Sequence, residues 1–221
     1  MNTSVSNTAR LLAAGLRALL VLTLVTGVLY PLAVTGVAQG LFRDKANGSE
    51  ITSDGKVVGS ALIGQAYNLP LKEGEETPTA DLKWFQGRPQ NGLGTNSVNT
   101  QYSLILSGAT NLAGDNPVLI EQVKAAQAAV VKDNSVPGHP VAPGDVPADA
   151  VTSSGSGLDP AISPAYADLQ VRRVAARNGL SVEQVQKLVD AHEQGRLLGF
   201  MGEPTVNVLE LNIALKELTR R

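Results

Sequence analysis

Ala18 to Phe42 reads ALLVLTLVTGVLYPLAVTGVAQGLF, and no residue in it carries a charge. A helix needs roughly 20 apolar residues to bridge about 30 Å of hydrocarbon, because lipid tolerates only a backbone that satisfies its own polar groups. This run meets that length. Arg10 and Arg17 precede it, whereas Arg43 and Lys45 follow it in company with Asp44 and Glu50. Acids weigh little in the positive-inside rule, so the two leading arginines favour an inner N-terminus and an outer C-terminal part. Pro31 is expected to kink the helix or lie near its end, and Tyr30 beside it suits a membrane interface. A cleaved signal peptide is the competing reading, with small residues at Gly36-Val37-Ala38. The stretch, however, outruns the roughly 7–15 residues of a signal core. The expected division is a short tail over residues 1–17, a transmembrane helix over 18–42 and a soluble, extracytoplasmic domain over 43–221.

The whole chain has 221 residues and a formal net charge of −2, so no polybasic surface points to nucleic acid. It has no cysteine, which excludes a disulfide framework, a thiolate metal site, a cysteine nucleophile and a lipid anchor on cysteine. Its two histidines, His139 and His192, leave little for a transition-metal centre.

Beyond the apolar run the pattern is α+β. Ser53-Asp54-Gly55 between Glu50-Ile51-Thr52 and Lys56-Val57-Val58 signals a hairpin. Leu71 to Ala80 reads as an exposed acidic loop and Asn91 to Thr100 as another loop. Lys83-Trp84-Phe85 is a candidate short strand, and Tyr102 to Leu106 is an apolar run of open type. Asn116 and Pro117 open a helix running to about Lys132, with Leu119, Val123 and Val130 on one face. Val136 to Pro147 is an irregular, proline-rich crossing. Ser163-Pro164 opens a second helix that stops at Asn178-Gly179. Ser181 and Gln184 form a capping-box pattern for a third, with Val182, Val185, Leu188, Val189 and His192 inward. Asn207 and Glu210 start a fourth, striped by Val208, Leu211, Leu215 and Leu218.

Several catalytic patterns are missing from the sequence. It has no G-x-x-x-x-G-K-[ST] phosphate loop, no complete dinucleotide fingerprint, no H-E-x-x-H and no G-x-S-x-G elbow. It also lacks the Asp-Lys-Thr-Gly run of ion-pumping P-type ATPases. Gln170 to His192 has the outline of a helix-turn-helix, with Arg172, Arg173 and Arg177 on its first helix. Its second helix carries Glu183, Asp190 and Glu193, which repel phosphates, so a plain αα-corner is the reading adopted. His139 reads as a surface residue, and His192 as a complement to its helix dipole. Ser153 to Gly157 could cradle an anion, but no adjacent cation supports that, and a mobile turn is expected.

Several further segments stand out when taken together. They are Gly55 to Ser60 with Leu62 to Gln65; Trp84-Phe85-Gln86-Gly87-Arg88-Pro89; Ser107-Gly108-Ala109-Thr110-Asn111-Leu112; Asn116-Pro117; and Val146 to Thr152. To these add Ser156-Gly157-Leu158-Asp159-Pro160 with Ile162-Ser163-Pro164, and Gly202-Glu203-Pro204 with Val206-Asn207-Val208-Leu209 and Leu211-Asn212. In order and spacing these segments together resemble one family, the C subunit of the Kdp high-affinity potassium-transporting P-type ATPase. Ala113-Gly114-Asp115, Gln90 and Ala161 depart from the family's usual residues, the last removing a histidine often found there.

The resemblance implies a non-catalytic accessory subunit that assembles and stabilises the complex. In the family it is also described as a catalytic chaperone that raises the ATP affinity of the hydrolytic subunit. The implied partners are a potassium-channel-like subunit, an ATP-hydrolysing P-type subunit, a small membrane peptide and the lipid bilayer, with no nucleic acid. ATP and potassium are handled by the complex; no cofactor and no metal site is assigned to this chain. Arg88 is the candidate partner-contact residue, since its fork suits carboxylates and carbonyls; an arginine bracing its own loop is the alternative. In the apolar helix Arg17 and Tyr30 mark the borders, Pro31 the break, and Gly27 and Gly36 offer small surfaces to partner helices, although glycines are common in such helices anyway. An independent anchored protein that binds a small ligand is the alternative function.

Overall fold

The computed structural model describes residues 3–70, 79–89, 93–95, 103–105 and 107–220. The chain forms two compact units, Met1–Glu50 and Ile51–Arg221. The first is dominated by a continuous helix of α1 (Thr3–Leu24), a π-helical turn (Val25–Leu29) and α2 (Tyr30–Leu41). Over Ser4–Leu41 it is long and apolar enough to cross a membrane, with none of its most apolar window buried in the protein. Residues 3–17, read as a tail, are helical as well. Pro31 neither ends nor breaks the helix. Its ring would strike the carbonyl of Gly27 in a regular turn, and it has no N–H to offer there. The preceding turn widens instead, with Tyr30 N–H bonded to the carbonyl of Val25. A short helix, α3 (Arg43–Ala46), closes the unit.

The second unit opens with the expected hairpin, β1 (Glu50–Ser53) and β2 (Lys56–Ser60). Asp54 and Gly55 hold φ of 52° and 73°, the left-handed pair that a two-residue turn between twisted strands requires. Asp54 also receives Lys216 at 2.8 Å and Arg220 at 2.7 Å. Residues 71–78 of the expected acidic loop lie outside the described residues, as do 91, 92 and 96–100 of the next. Within that second expected loop stands a strand, β3 (Leu93–Thr95), paired antiparallel with β4 (Ser103–Ile105). A three-residue strand is too short to show an apolar period, which is why it reads as loop.

The later helices match their capping signals. Asn116 caps α4 (Pro117–Asn134) by accepting from Val118 N–H, and Ser163 caps α5 (Pro164–Asn178) by accepting from Tyr166 N–H. Gly179, with φ of 67°, ends α5 in the left-handed conformation. The Ser181–Gln184 capping box opens α6 (Val182–His192). Asn207 caps α7 (Val208–Thr219) by accepting from both Leu209 and Glu210 N–H. A small antiparallel sheet runs in the order β5 (Ala161–Ile162), β7 (Thr205–Asn207), β6 (Glu193–Gln194). Tyr166, Ala167, Val171 and Val174 of α5, Val185 and Val189 of α6, and Leu211 and Leu215 of α7 form the core with Val206 and Phe85. The fold class is therefore an α+β domain preceded by a single N-terminal transmembrane helix.

Candidate functional site

Lys83-Trp84-Phe85 is not a strand. Asp81 accepts from Lys83 N–H at 3.2 Å through its side chain and from Trp84 N–H at 3.1 Å through its carbonyl, which curls the chain into a turn. Among the described residues no strand pairs with the segment that follows. Two side-chain amides take the place of a ladder. Asn212 of α7 accepts from Phe85 N–H and donates to the Phe85 carbonyl, both at 2.9 Å. Gln170 of α5 does the same for Gln86, at 2.7 and 3.0 Å. An amide carries one donor end and one acceptor end, so it can mimic a neighbouring strand for one residue.

Residues 81–86 are held from below as well. Arg173 of α5 donates to the carbonyls of Leu82 and Trp84, to Asn134 Oδ1 at 2.8 Å and to Gln170 Oε1 at 2.6 Å. Asn178 donates to the Lys83 carbonyl at 2.8 Å. Arg173 is buried with no carboxylate among these partners, and burial lowers its pKa to about 10. Its guanidinium points into the protein, away from any phosphate a helix-turn-helix would grip. Phe85, with Asn212, Gln170 and Arg173 around it, forms a buried strap.

Arg88 continues the same theme. Its Nε donates to the Thr152 carbonyl at 3.3 Å, Nη1 to Asp159 at 3.2 Å and Nη2 to the Ser153 carbonyl at 3.3 Å. The fork thus braces a loop of its own domain, the alternative that the sequence left open. That loop, expected to be a mobile turn, is laced by hydrogen bonds of its own. The hydroxyls of Ser154 and Ser156 lie 3.1 Å apart, and they accept from Asp159 and Leu158 N–H respectively. Gly157 turns the chain with φ of 68°. Leu158 accepts from Gly64 N–H at 2.8 Å, Pro160 accepts from Val208 N–H at 3.0 Å, and Ser156 accepts from Gly108 N–H at 2.8 Å. Asn207 donates to the Ala61 carbonyl at 2.9 Å, and Asp149 accepts from Ser163 through both N–H and hydroxyl. Gly59 lies so close to Gln65 and Leu209 that a Cβ there would sit 2.1 Å from the Gln65 amide nitrogen. Segments scattered from Gly59 to Leu209 in the sequence therefore meet in one tightly packed, hydrogen-bonded hub.

Of the remaining sequence candidates, Gly108 and Ser163 bond into the hub as described and the others lie outside it. Gly87 and Pro89 are half-buried beside Arg88, while Ser107, Gly108 and Asn111 are exposed, Asn111 with φ of 53°. Asn116, Pro117, Ser163 and Pro164 build helix N-termini. Glu203 pairs with Arg196 at 2.6 Å on the surface, and Pro204 is half-buried at the entry to β7. Arg17, Gly27, Tyr30, Pro31 and Gly36 all lie exposed on the long helix. Sequence reasoning missed Asn212, Gln170 and Asn134. A signal was present for two of them: Asn212 sits within the Val208–Leu211–Leu215 stripe, and Gln170 lies one turn beyond Tyr166 on the inward face of α5. A polar amide inside an apolar stripe must bond something buried.

No group of three or more potential metal ligands exists among the described residues. His139 is exposed, with Arg172 at 3.3 Å, and the two line a cavity of about 450 Å³ with Asp145 and Asp168. His192 contacts the Leu188 carbonyl at 2.8 Å, near the end of α6 where a helix dipole is negative. A second cavity, of about 440 Å³, lies beside Arg88's loop between Pro89, Leu119, Val123 and Thr152.

Residues 12–217 match the family described as KdpC: K+-transporting ATPase, c chain. The chain is similar to the potassium-transporting ATPase KdpC subunit of Streptomyces avermitilis, with 79% identity covering 99% of this chain and 98% of that one. It shares 76% identity with the subunit of the same name in Streptomyces coelicolor, over 99% and 97% of the two chains. With the Mycobacterium tuberculosis subunit it shares 43%, over 95% and 99%.

Proposed function

The chain belongs to the KdpC family of K+-transporting ATPase c chains, and on that premise we propose that it is a non-catalytic accessory subunit that assembles and stabilises an ATP-driven potassium import complex. The observation that supports the accessory role is the direction of its polar side chains. Asn212, Gln170, Arg173 and Arg88 turn their hydrogen bonds onto the chain's own loops. Groups committed in this way shape a rigid body; a catalyst needs a nucleophile, a base and donors aimed at open space.

The partners in this reading are a potassium-channel-like subunit, an ATP-hydrolysing P-type subunit and a small membrane peptide. The helix over Ser4–Leu41 lies among their helices, with Gly27 and Gly36 allowing close approach. Arg10 and Arg17 favour an inner N-terminus, which places the domain outside, over the potassium entrance of the channel-like subunit. Raising the ATP affinity of the hydrolytic subunit would require the reverse orientation or a route through the membrane, so external capping is the role argued.

The test is a mild-detergent pull-down through a C-terminal tag, from membranes of potassium-starved cells, followed by a potassium-stimulated ATPase assay. Partners of channel-like and P-type character, with activity in the eluate, are expected. A lone, inactive monomer whose melting temperature moves with a small ligand would overturn the reading in favour of an anchored binding protein.

A further inference from the structure

Residues 195–204 join β6 to β7 and project away from the core. Backbone bonds close the tip. Leu197 and Met201 exchange N–H and carbonyl in both directions at 2.9 Å, Gly199 N–H reaches the Arg196 carbonyl at 3.0 Å, and Phe200 N–H reaches the Leu197 carbonyl at 3.3 Å. The Arg196–Glu203 ion pair at 2.6 Å ties the base. Leu198 holds φ of 54°, a left-handed conformation that a branched side chain rarely adopts. This fixed turn directs its apolar side chains into solvent: Leu198 is 77% exposed and Phe200 71%, with Leu197 and Met201 also open. The tip lends nothing to the core, and its only charges cancel each other at the base.

We infer that this tip is a knob that seats in an uncharged, apolar pocket on another chain of the transporter complex, an inference that rests on the subunit reading above. Three observations select that occupant. Phe and Met are the residue types enriched where proteins meet, and a few such anchors dominate an interface. A lipid surface suits the tip less well: residues 193–204 hold no Trp, Tyr or Lys, and their one arginine is already paired. A second copy of this chain suits it less well too. Four side chains offer roughly half of the ~800 Å² per partner that a stable dimer buries, so the tip needs an assembly already held together elsewhere.

Because the chain has no cysteine, Phe200→Cys supplies its only thiol. The variant is carried by the full-length chain and labelled with a charged, water-soluble maleimide, once alone in detergent and once in the purified complex. Label is counted by mass on this chain. Lys124→Cys, on the exposed face of α4, serves as the control. The expected result is fast labelling of Phe200→Cys in the lone chain and at least a tenfold slower rate in the complex, with the control unchanged. Equal rates in both states would overturn the inference. Protection already present in the lone chain would do so too, since detergent, lipid or a second copy would then cover the tip. If Phe200→Cys keeps its melting temperature yet no longer assembles, the knob is supported, and Leu197→Cys is used to read protection. Should the unaltered chain recover no partners, the subunit reading itself fails, a result distinct from unprotected labelling within an intact complex.

Discussion

The strap at residues 81–89 and the tip at residues 195–204 are both irregular segments, and they solve opposite problems. The strap has no strand for company, so helices lend it side-chain amides, and of its two aromatic residues Phe85 is fully buried and Trp84 partly so. The tip closes on its own backbone, asks nothing of the helices and leaves Leu198 and Phe200 in solvent. Polar groups in the strap turn inward, and apolar groups in the tip turn outward. The stability of the domain should therefore depend on the first segment and be nearly indifferent to the second.

The largest effect is expected from Asn212→Leu, which leaves the buried N–H and carbonyl of Phe85 without partners. A loss of about 3 kcal/mol follows from two unsatisfied buried groups, read as a fall in melting temperature of roughly 6–12 °C. A fall under 2 °C would mean that the strap finds other partners. Gln170→Met removes the pair on Gln86 and an acceptor for Arg173, at a cost of about 2 kcal/mol in chemical denaturation. Arg88→Ala acts on a half-exposed brace, so screening reduces the loss to about 1 kcal/mol; the domain should stay folded while residues 152–158 become the first site of limited proteolysis. Cleavage elsewhere first would show that the Ser154–Ser156 turn holds without the arginine.

On the other side of the comparison, Leu198→Gly relieves a left-handed leucine but adds freedom to the unfolded chain. These opposing contributions should leave stability within about 0.5 kcal/mol of the parent. A loss comparable to that of Gln170→Met would erase the contrast between the two segments. The smallest effect belongs to the surface clamp at Asp54. Hydrogen bonds from Arg220 and Lys216 hold its carboxyl well below the usual range. The folded pKa is depressed, so the clamp is fully present above the ordinary carboxylate pKa of about 4 and is lost as pH falls through the lower folded value. Hydrogen exchange in the β1–β2 turn, compared at pH 6 and pH 3, should quicken relative to an Asp54→Asn variant, and high salt should mute the difference.

The contrast also explains what the sequence could reveal. The caps at Asn116, Ser163, Ser181 and Asn207 were legible because a cap is a conversation among neighbours, settled within three residues. The Asp54-Gly55 hairpin was legible for the same reason. The strap was not: Phe85 read as part of a strand because its partner amide lies 127 residues away and is not a strand at all. Arg88 was singled out for a partner contact, and nothing nearby in the chain announces Thr152, Ser153 and Asp159 as its acceptors. The tip escaped notice because Leu197, Leu198, Phe200 and Met201 look like a short core run. Only the structure, by pairing Leu197 with Met201, turns them outward.

The widened turn at Val25–Leu29 gives the long helix one residue more than its geometry needs. A regular helix advances about 100° per residue, so deleting a residue from α1 or α2 would swing one end around relative to the other. Deleting one between Val25 and Leu29, together with Pro31→Ala to remove the ring that forbids a regular turn, would let the turn tighten into ordinary helix and leave the facing of both ends as it was. That turn acts as slack in the thread: the one place where the helix can lose a residue and keep its phase.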